Sequence, residues 1–225
     1  MIESIRKYKA KRVGESMYKF ISSILYWIIV KVSKSLVVQG KEHIPQLHRY
    51  VVTCTHESYN EVIMLGMSIY PNQIHYMAKK ELFINKWFGK FLKSLNAFPV
   101  DRENPGPSTL KRPIKLLKEN KTVGIFPTGQ RAEFTEDAPL KRGAVTIAMM
   151  GGAPILPAAY VGPKKIKGLI TGTAYIKFGE PIETKNLPKS MKRNEKLEYL
   201  TKELENRTRQ LQNELNELNE YVNQK

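Results

Sequence analysis

Apolar residues in the middle of the chain follow two alternating patterns. Short runs rich in β-branched and aromatic residues are typical of buried strands. The stretches between them have the apolar spacing of amphipathic helices. Strands are predicted at 35–38, 50–55, 74–77, 97–100, 122–126, 154–159 and 173–178, and helices at 58–69, 85–95, 108–119 and 143–150. This alternation predicts an α/β domain with a largely parallel or mixed sheet flanked by helices.

The amino-terminal part has a different pattern. Residues 20–30 are almost entirely apolar and lie between Lys19 and Lys31. A helix of this length spans about 16 Å, well short of a hydrocarbon core of about 30 Å. Tyr26 and Trp27, with lysines on either side, favour a helix that lies in a membrane interface. An ordinary buried helix fits this segment nearly as well.

The carboxyl-terminal part has a seven-residue repeat. One set of repeat positions is occupied by leucines, and the set four residues later holds Thr201, Thr208, Leu215 and Val222. The repeat predicts an amphipathic helix with a heptad seam, which either lies along the domain or pairs with a second chain in a homodimer. The leucines are Leu197, Leu204, Leu211 and Leu218. The chain is therefore divided into a membrane-associating segment (1–34), an α/β domain (35–187) and a terminal helix (188–225).

The charge of the chain narrows the class of partner. The 225 residues include 37 Lys and Arg but 21 Asp and Glu, a net charge of +16. Such a balance indicates an anionic partner, either nucleic acid, an anionic lipid surface or a phosphorylated substrate. Lysines outnumber arginines, and the sequence has neither an RNA-binding aromatic motif nor a zinc-finger pattern. These features disfavour specific nucleic-acid binding and favour a membrane surface with anionic lipid. The single Cys excludes a disulfide framework.

The candidate chemistry lies where predicted strands end. His56 follows the second strand, and a His on that turn could act as a general base oriented by the carboxylate of Glu61. Arg102 and Arg131 also follow predicted strands and suit phosphate recognition. For each residue alone, a structural histidine or a surface ion pair is the ordinary alternative.

Taken in order, the segments resemble the glycerolipid acyltransferase family, of the 1-acyl-sn-glycerol-3-phosphate acyltransferase type. The resemblance runs from about residue 37 to residue 181. THESYNE at 55–61 is similar to the first block, His-x4-Asp, and AFPVDR at 97–102 to the second. FPTGQR at 126–131 is similar to the third block, Phe-Pro-Glu-Gly-Thr-Arg. Further similarities lie at 37–45 (VVQGKEHIP), 77–83 (MAKKELF), 141–144 (KRGA) and 153–157 (APILP).

The resemblance implies transfer of a fatty acyl group from acyl-CoA or acyl-ACP to the hydroxyl of a lysophospholipid, with lysophosphatidic acid giving phosphatidic acid as the leading expectation. His56 is then the general base, Glu61 its partner and Arg102 the phosphate ligand. The remaining acceptor-site residues are Ser58, Thr128, Gly129 and Arg131. The resemblance implies no metal and no cofactor beyond the acyl donor. We expect a peripheral or monotopic protein on the cytoplasmic face of the cell membrane.

Two departures from the family pattern open alternatives. Glu61 replaces Asp in the first block, and Thr128 and Gln130 replace Glu and Thr in the third. The longer Glu61 side chain moves the carboxylate by about 1 Å, against a catalytic tolerance of about 0.5 Å. The alternatives are an acceptor such as lysophosphatidylglycerol, or a catalytically weakened relative that binds membrane lipid.

Overall fold

The computed structural model describes residues 17–55, 58–101, 106–127 and 140–224. The described residues form a seven-stranded sheet in the order β1-β7-β6-β2-β5-β3-β4. Neighbouring strands are parallel except β6 and β7, which are antiparallel. The strands are β1 (Leu36–Gln39), β2 (Val51–Cys54), β3 (Ile74–Lys79), β4 (Phe98–Val100), β5 (Thr122–Ile125), β6 (Ile155–Val161) and β7 (Ala174–Phe178).

Helices cover both faces of this sheet. The first, α1, is α-helical over residues 17–26 and continues as a π-helix, Trp27–Val32. Two 3-10 helices occupy Lys41–His43 and Lys80–Phe83. The others are α2 (Asn60–Ser68), α3 (Lys86–Ser94), α4 (Pro107–Lys118), α5 (Gly143–Gly151), α6 (Gly168–Thr171) and α7 (Arg193–Asn223). The predicted mixed α/β fold is confirmed.

The central strand β2 shows why the sheet is buried on both sides. Successive side chains of a strand point to opposite faces. Val51 joins an apolar cluster that includes Leu117, Val145 and Leu204, whereas Val52 joins one with Met64 and Leu65. One face of the sheet therefore packs against α4, α5 and α7, and the other against α1 and α2. A strand buried on both faces is typically apolar along its length, and β2 is apolar apart from Thr53.

Helix α1 is packed on one side and exposed on the other. Tyr18 and Ile29 are buried, and Ile29 lies in the same cluster as Val52. The opposite side exposes four large apolar residues at helical spacing, which are Met17, Phe20, Ile24 and Trp27. The buried-helix alternative describes the inner side, and the membrane-interface location of the outer side stays a prediction. Among the described residues, no helix has the length and apolar character needed to cross a membrane.

The terminal helix α7 lies along the sheet of its own chain. Leu204, Leu211 and Leu215 are buried, and the last two pack in one cluster with Ala159 of β6 and Tyr175 of β7. Thr208, a weak position of the heptad seam, is buried with its hydroxyl donating to the Leu204 carbonyl (2.7 Å). The seam is thus used within the chain. A homodimer through this helix stays a prediction, and it would have to use another face.

Candidate functional site

The parallel strands that precede the predicted site segments end at one edge of the sheet. Strands β2, β5, β3 and β4 are consecutive neighbours and all run in the same direction. Their carboxyl ends therefore lie at one edge, where sites form in open α/β sheets. Three of these strands are followed closely by the last residue of a described range, which is Thr55 after β2, Asp101 after β4 and Pro127 after β5. The predicted residues His56, Arg102, Thr128, Gly129 and Arg131, with Gln130, come next and lie outside the described residues.

Two of the predicted site residues, Ser58 and Glu61, are described. The Glu61 side chain is 1% exposed and is held by Ser58. The Ser58 backbone N–H donates to both carboxylate oxygens (2.9 and 2.8 Å), and its hydroxyl donates to Oε1 (3.1 Å). In turn, the backbone N–H of Asn60 donates to the Ser58 hydroxyl (3.1 Å).

This arrangement contains one half of a capping box, just before α2 begins at Asn60. In such a box a Ser or Thr is followed three residues later by Glu or Gln, whose side chain reaches back to the Ser or Thr N–H. Glu, longer than Asp by one methylene, suits that reach. The Glu that replaces the Asp of the family block therefore has a structural role, because its longer side chain reaches the Ser58 backbone N–H. The carboxylate predicted to orient His56 is also the one that fixes the beginning of α2.

Asn60 is a site residue that the sequence analysis missed. Its side-chain amide is buried and donates to the carbonyls of Pro163 (2.6 Å) and Lys165 (2.9 Å). The Tyr160 hydroxyl also donates to the Pro163 carbonyl (3.0 Å). The loop after β6 is thereby tied to the start of α2. Nothing in the local spacing pointed to Asn60, because both carbonyls lie more than 100 residues away in the sequence.

Cys54, two residues before His56, is a free and fully buried thiol. Burial raises its pKa well above the ordinary value, and the negative charge of Glu61 raises that pKa further. A thiol in that state is a poor nucleophile. This agrees with the default interpretation of an inert core cysteine. Within the described ranges, no three His, Cys, Asp or Glu side chains are grouped so that they could hold a metal ion.

A cavity of about 290 Å³, which we call the apolar cavity, lies between α1, α2, β3 and α3. Tyr59, the residue between Ser58 and Asn60, is part of its wall. The cavity therefore begins three residues after His56 in the sequence. Most of its other lining side chains are apolar, among them Tyr18, Leu25, Val62, Met67, Tyr76, Leu92 and Leu95.

A second cavity of about 290 Å³, which we call the edge cavity, lies under the carboxyl ends of β4 and β5. Its lining includes Asp101 and Pro127, the last described residues before Arg102 and Thr128. Asp101 forms an ion pair with Lys80 (2.5 Å), and Lys141 adds a second lysine near the cavity. Met77 and Phe126 line both cavities, so the two adjoin.

Comparison with known proteins identifies similar sequences that are all acyltransferases. A sequence model of the Acyltransferase family matches residues 35–161, more than half of the chain. A 1-acyl-sn-glycerol-3-phosphate acyltransferase of Bacillus subtilis is 56% identical over 74% of this chain and 82% of its own length. The protein of that name from Streptococcus pneumoniae is 33% identical over 78% of this chain and 67% of its own.

The fold has a solved counterpart. The crystal structure of the 1-acyl-sn-glycerophosphate acyltransferase of Thermotoga maritima superposes with a TM-score of 0.59. The match covers 92% of this chain and 83% of that chain at 22% identity, so it shows a shared fold. The family model and the two bacterial relatives establish more than the fold. The chain belongs to the glycerolipid acyltransferase family, of the 1-acyl-sn-glycerol-3-phosphate acyltransferase type, and is an O-acyltransferase.

Proposed function

We propose that the protein transfers a fatty acyl group from acyl-CoA or acyl-ACP to the free hydroxyl of lysophosphatidic acid, giving phosphatidic acid. The names of the relatives at 56% and 33% identity support this acceptor. The observation that carries the proposal is the apolar cavity, whose wall includes Tyr59, three residues after His56 in the sequence. An enzyme of fatty acyl transfer needs such a cavity, because burying each methylene group is worth about 0.8 kcal/mol.

The proposed reaction is a direct attack of the acceptor hydroxyl on the thioester. His56 accepts the hydroxyl proton while the hydroxyl oxygen forms the new ester bond to the acyl carbon. The carbon–sulfur bond then breaks, and the thiolate of CoA or of acyl carrier protein takes up that proton. Glu61 orients the His56 ring and stabilises its protonated form. The step balances with no further reactant.

The edge cavity supports a place for the acceptor head group. Arg102 and Arg131 are the proposed phosphate ligands, since guanidinium groups bind phosphate through paired charge-assisted hydrogen bonds. Thr128 and Gly129 complete the acceptor site, and Ser58 shapes the turn beside it. The residues just before Arg102 and Thr128 line the edge cavity, which adjoins the apolar cavity. A head group in one and an acyl chain in the other would place the reacting groups between them.

We further propose that the enzyme works as a peripheral or monotopic protein on the cytoplasmic face of the cell membrane. The exposed apolar side of α1 supports this location, together with the six basic residues among the first 19. A surface that combines apolar side chains with lysines binds anionic lipid through both burial and charge. The enzyme would then bind its lysophospholipid acceptor directly at the membrane surface.

The test is acyl transfer by the purified His56→Ala variant, with exposed His48 changed to Ala as the matched control. We expect His56→Ala to lower kcat at least 100-fold, because a general base contributes about 10² to 10⁴ in rate. His48→Ala should retain the wild-type rate. Undiminished turnover by the His56 variant would refute the mechanism. A panel with acyl-CoA and acyl-ACP as donors, and lysophosphatidic acid and lysophosphatidylglycerol as acceptors, tests the substrates.

A further inference from the structure

Helix α3 has its large apolar side chains on the outside. A surface helix of a globular protein normally turns its apolar stripe toward the core. The buried residues of α3 are instead Gly89 and Ser94. Trp87 is 81% exposed, and Ile84, just before the helix, is 78% exposed. With Phe88 and Phe91, also exposed, these residues follow the spacing i, i+3, i+4 and i+7, which places them on one side of the helix.

Local contacts hold α3 in this orientation. Asn85 caps the helix, its side-chain oxygen accepting from the backbone N–H groups of Trp87 and Phe88 (both 3.0 Å). At Gly89 the helix approaches the preceding 3-10 helix so closely that a Cβ would lie 3.0 Å from the Cα and carbonyl oxygen of Phe83. Leu92 on the inner side reaches the apolar cavity. The outward aromatic residues are therefore part of the folded arrangement.

The outer side of α3 is also positively charged. Lys86, Lys90 and Lys93 are exposed, and residues 84–95 contain no Asp or Glu. None of these three lysines forms an ion pair within the described part of the chain. Aromatic and aliphatic residues surrounded by lysines are typical of helices that lie in a membrane interface, where the ammonium groups meet anionic head groups.

The position of α3 in the fold agrees with a membrane surface. Side chains of α1 and α3 line the same apolar cavity, and each helix exposes an apolar stripe outward. A bilayer contacting both stripes would lie next to the cavity that we assign to the acyl chain. A second copy of this chain fits less well, because pairing two α3 helices would bring two sets of three lysines together.

We propose that Ile84 and the outer side of α3 form a second membrane-docking surface, which inserts into the head-group region of a bilayer containing anionic lipid. This inference deepens the proposed function and rests on it, since it names a surface through which the acyltransferase reaches its lipid substrates. Together with α1 it holds the enzyme at two points. Two contacts fix the orientation of the cavity toward the lipid, which a single helix would leave free to rotate.

The two tryptophans of the chain, one in each stripe, allow a direct test. In the Trp27→Phe protein all tryptophan emission comes from Trp87. Vesicles of phosphatidylglycerol and phosphatidylcholine should shift this emission to the blue, and brominated phosphatidylcholine in those vesicles should quench at least half of it. Vesicles of phosphatidylcholine alone should bind at least tenfold more weakly, because each lysine near an anionic surface contributes substantially to binding.

A matched charge experiment separates local from overall electrostatics. Lys90→Glu/Lys93→Glu alters α3, and Lys189→Glu/Lys202→Glu alters exposed lysines of the terminal region. Both double variants lower the net charge of +16 by the same four units. We expect the α3 variant to lose at least tenfold in vesicle binding, and the control to lose less than threefold. Equal losses in the two variants would overturn the assignment to α3.

Other outcomes distinguish the partner and the function. If Trp87 stays unquenched while Trp27 is quenched in the Trp87→Phe protein, the membrane contact is α1 alone and this inference fails while the proposed function stands. A Trp87 shift caused by acyl carrier protein or by protein concentration, with no response to vesicles, overturns it in favour of a protein partner. Insertion of Trp87 in the Trp27→Phe protein, together with no acyl transfer by the wild type, would sustain this surface and refute the proposed function.

Discussion

Glu61 combines two tasks that are often assigned to different residues. Its carboxylate accepts three hydrogen bonds from Ser58 and fixes the start of α2, and it is the proposed partner of His56. From the sequence alone, the extra methylene of Glu is expected to displace the carboxylate from its catalytic position. The hydrogen bonds from Ser58 give that methylene a structural use, because it lets the carboxylate reach back to the Ser58 amide. We therefore regard the turn as fitted to Glu.

Glu61→Asp should lower activity. The shorter side chain cannot keep its bonds to Ser58 and also orient His56, so we expect kcat to fall at least tenfold with little change in KM. The measurement is steady-state acyl transfer across a pH series, where a misoriented base also shifts the pH dependence of kcat. Ser58→Ala removes only the hydrogen bonds of the hydroxyl and should cost about 1 kcal/mol of unfolding free energy. A rate increase in Glu61→Asp would show that Glu had weakened the site.

Asn60→Ala should loosen the loop after β6. The change removes two hydrogen bonds and leaves the Lys165 carbonyl without its Asn60 donor, which should cost about 2 kcal/mol of unfolding free energy. Chemical denaturation measures the loss, and Asn72→Ala, with no side-chain hydrogen bond in the described residues, is the comparison. Equal stability of the two variants would mean that the contact to the loop contributes nothing.

Helices α3 and α7 are both amphipathic in sequence, yet their apolar sides end in different surroundings. Leucines of α7 pack on β6 and β7, whereas the aromatic residues of α3 face outward. Periodicity establishes that a helix has an apolar side. It does not say whether that side meets a sheet, a second chain or a lipid surface, because each of these removes the same side chains from water. For α7 the sequence left two arrangements open, and the fold uses one of them.

Leu204→Ala should destabilise the protein by about 3 kcal/mol, because the leucine is fully buried against the domain. Val222→Ala, at an exposed position of the same seam, should change stability by less than about 0.5 kcal/mol. Urea unfolding at two protein concentrations measures both. A midpoint that rises with protein concentration would instead place the seam between chains.

At the scale of the whole molecule, the order of the parallel strands assembles the site. The first and third family blocks begin after β2 and β5, and the second block contains β4; these strands are far apart in sequence but end at one edge of the sheet. The same topology places the two cavities side by side below that edge. Motifs of the sequence predicted the members of the site, and strand order brings the described residues that precede them to one edge of the sheet.

The stability of the whole fold should depend on the protonation of His75, which lies on β3. The pKa of His75 is lowered to about 4, mainly because the ring is buried. The positive charges of Lys121 and Arg112 lower this pKa as well. The hydrogen bond to the Thr122 carbonyl (3.3 Å) and the charge of Glu119 act in the opposite direction and raise it. Since the unfolded chain binds this proton near pH 6.5, unfolding becomes easier as the pH falls from 6.5 to 4. The full effect amounts to about 3 kcal/mol.

The test compares the wild type with His75→Gln, which keeps a hydrogen-bond donor but does not titrate. Unfolding free energies at pH 7.5 and pH 4.5 should fall less in the variant than in the wild type. Parallel losses in the two proteins would show that other groups cause the acid sensitivity.

The sequence by itself determined the seven strands and the longer helices of the domain, the mixed α/β class and the family, and it predicted the site residues. Apolar periodicity reports which residues leave water, and short motifs report which residue types stand together along the chain. Only the tertiary structure decided that α7 packs on its own sheet, that Asn60 binds a loop more than 100 residues away, and that the aromatic side of α3 faces outward. The physical reason is that the packing around each of these segments involves residues distant in sequence. A local sequence pattern therefore does not identify which residues a segment will contact.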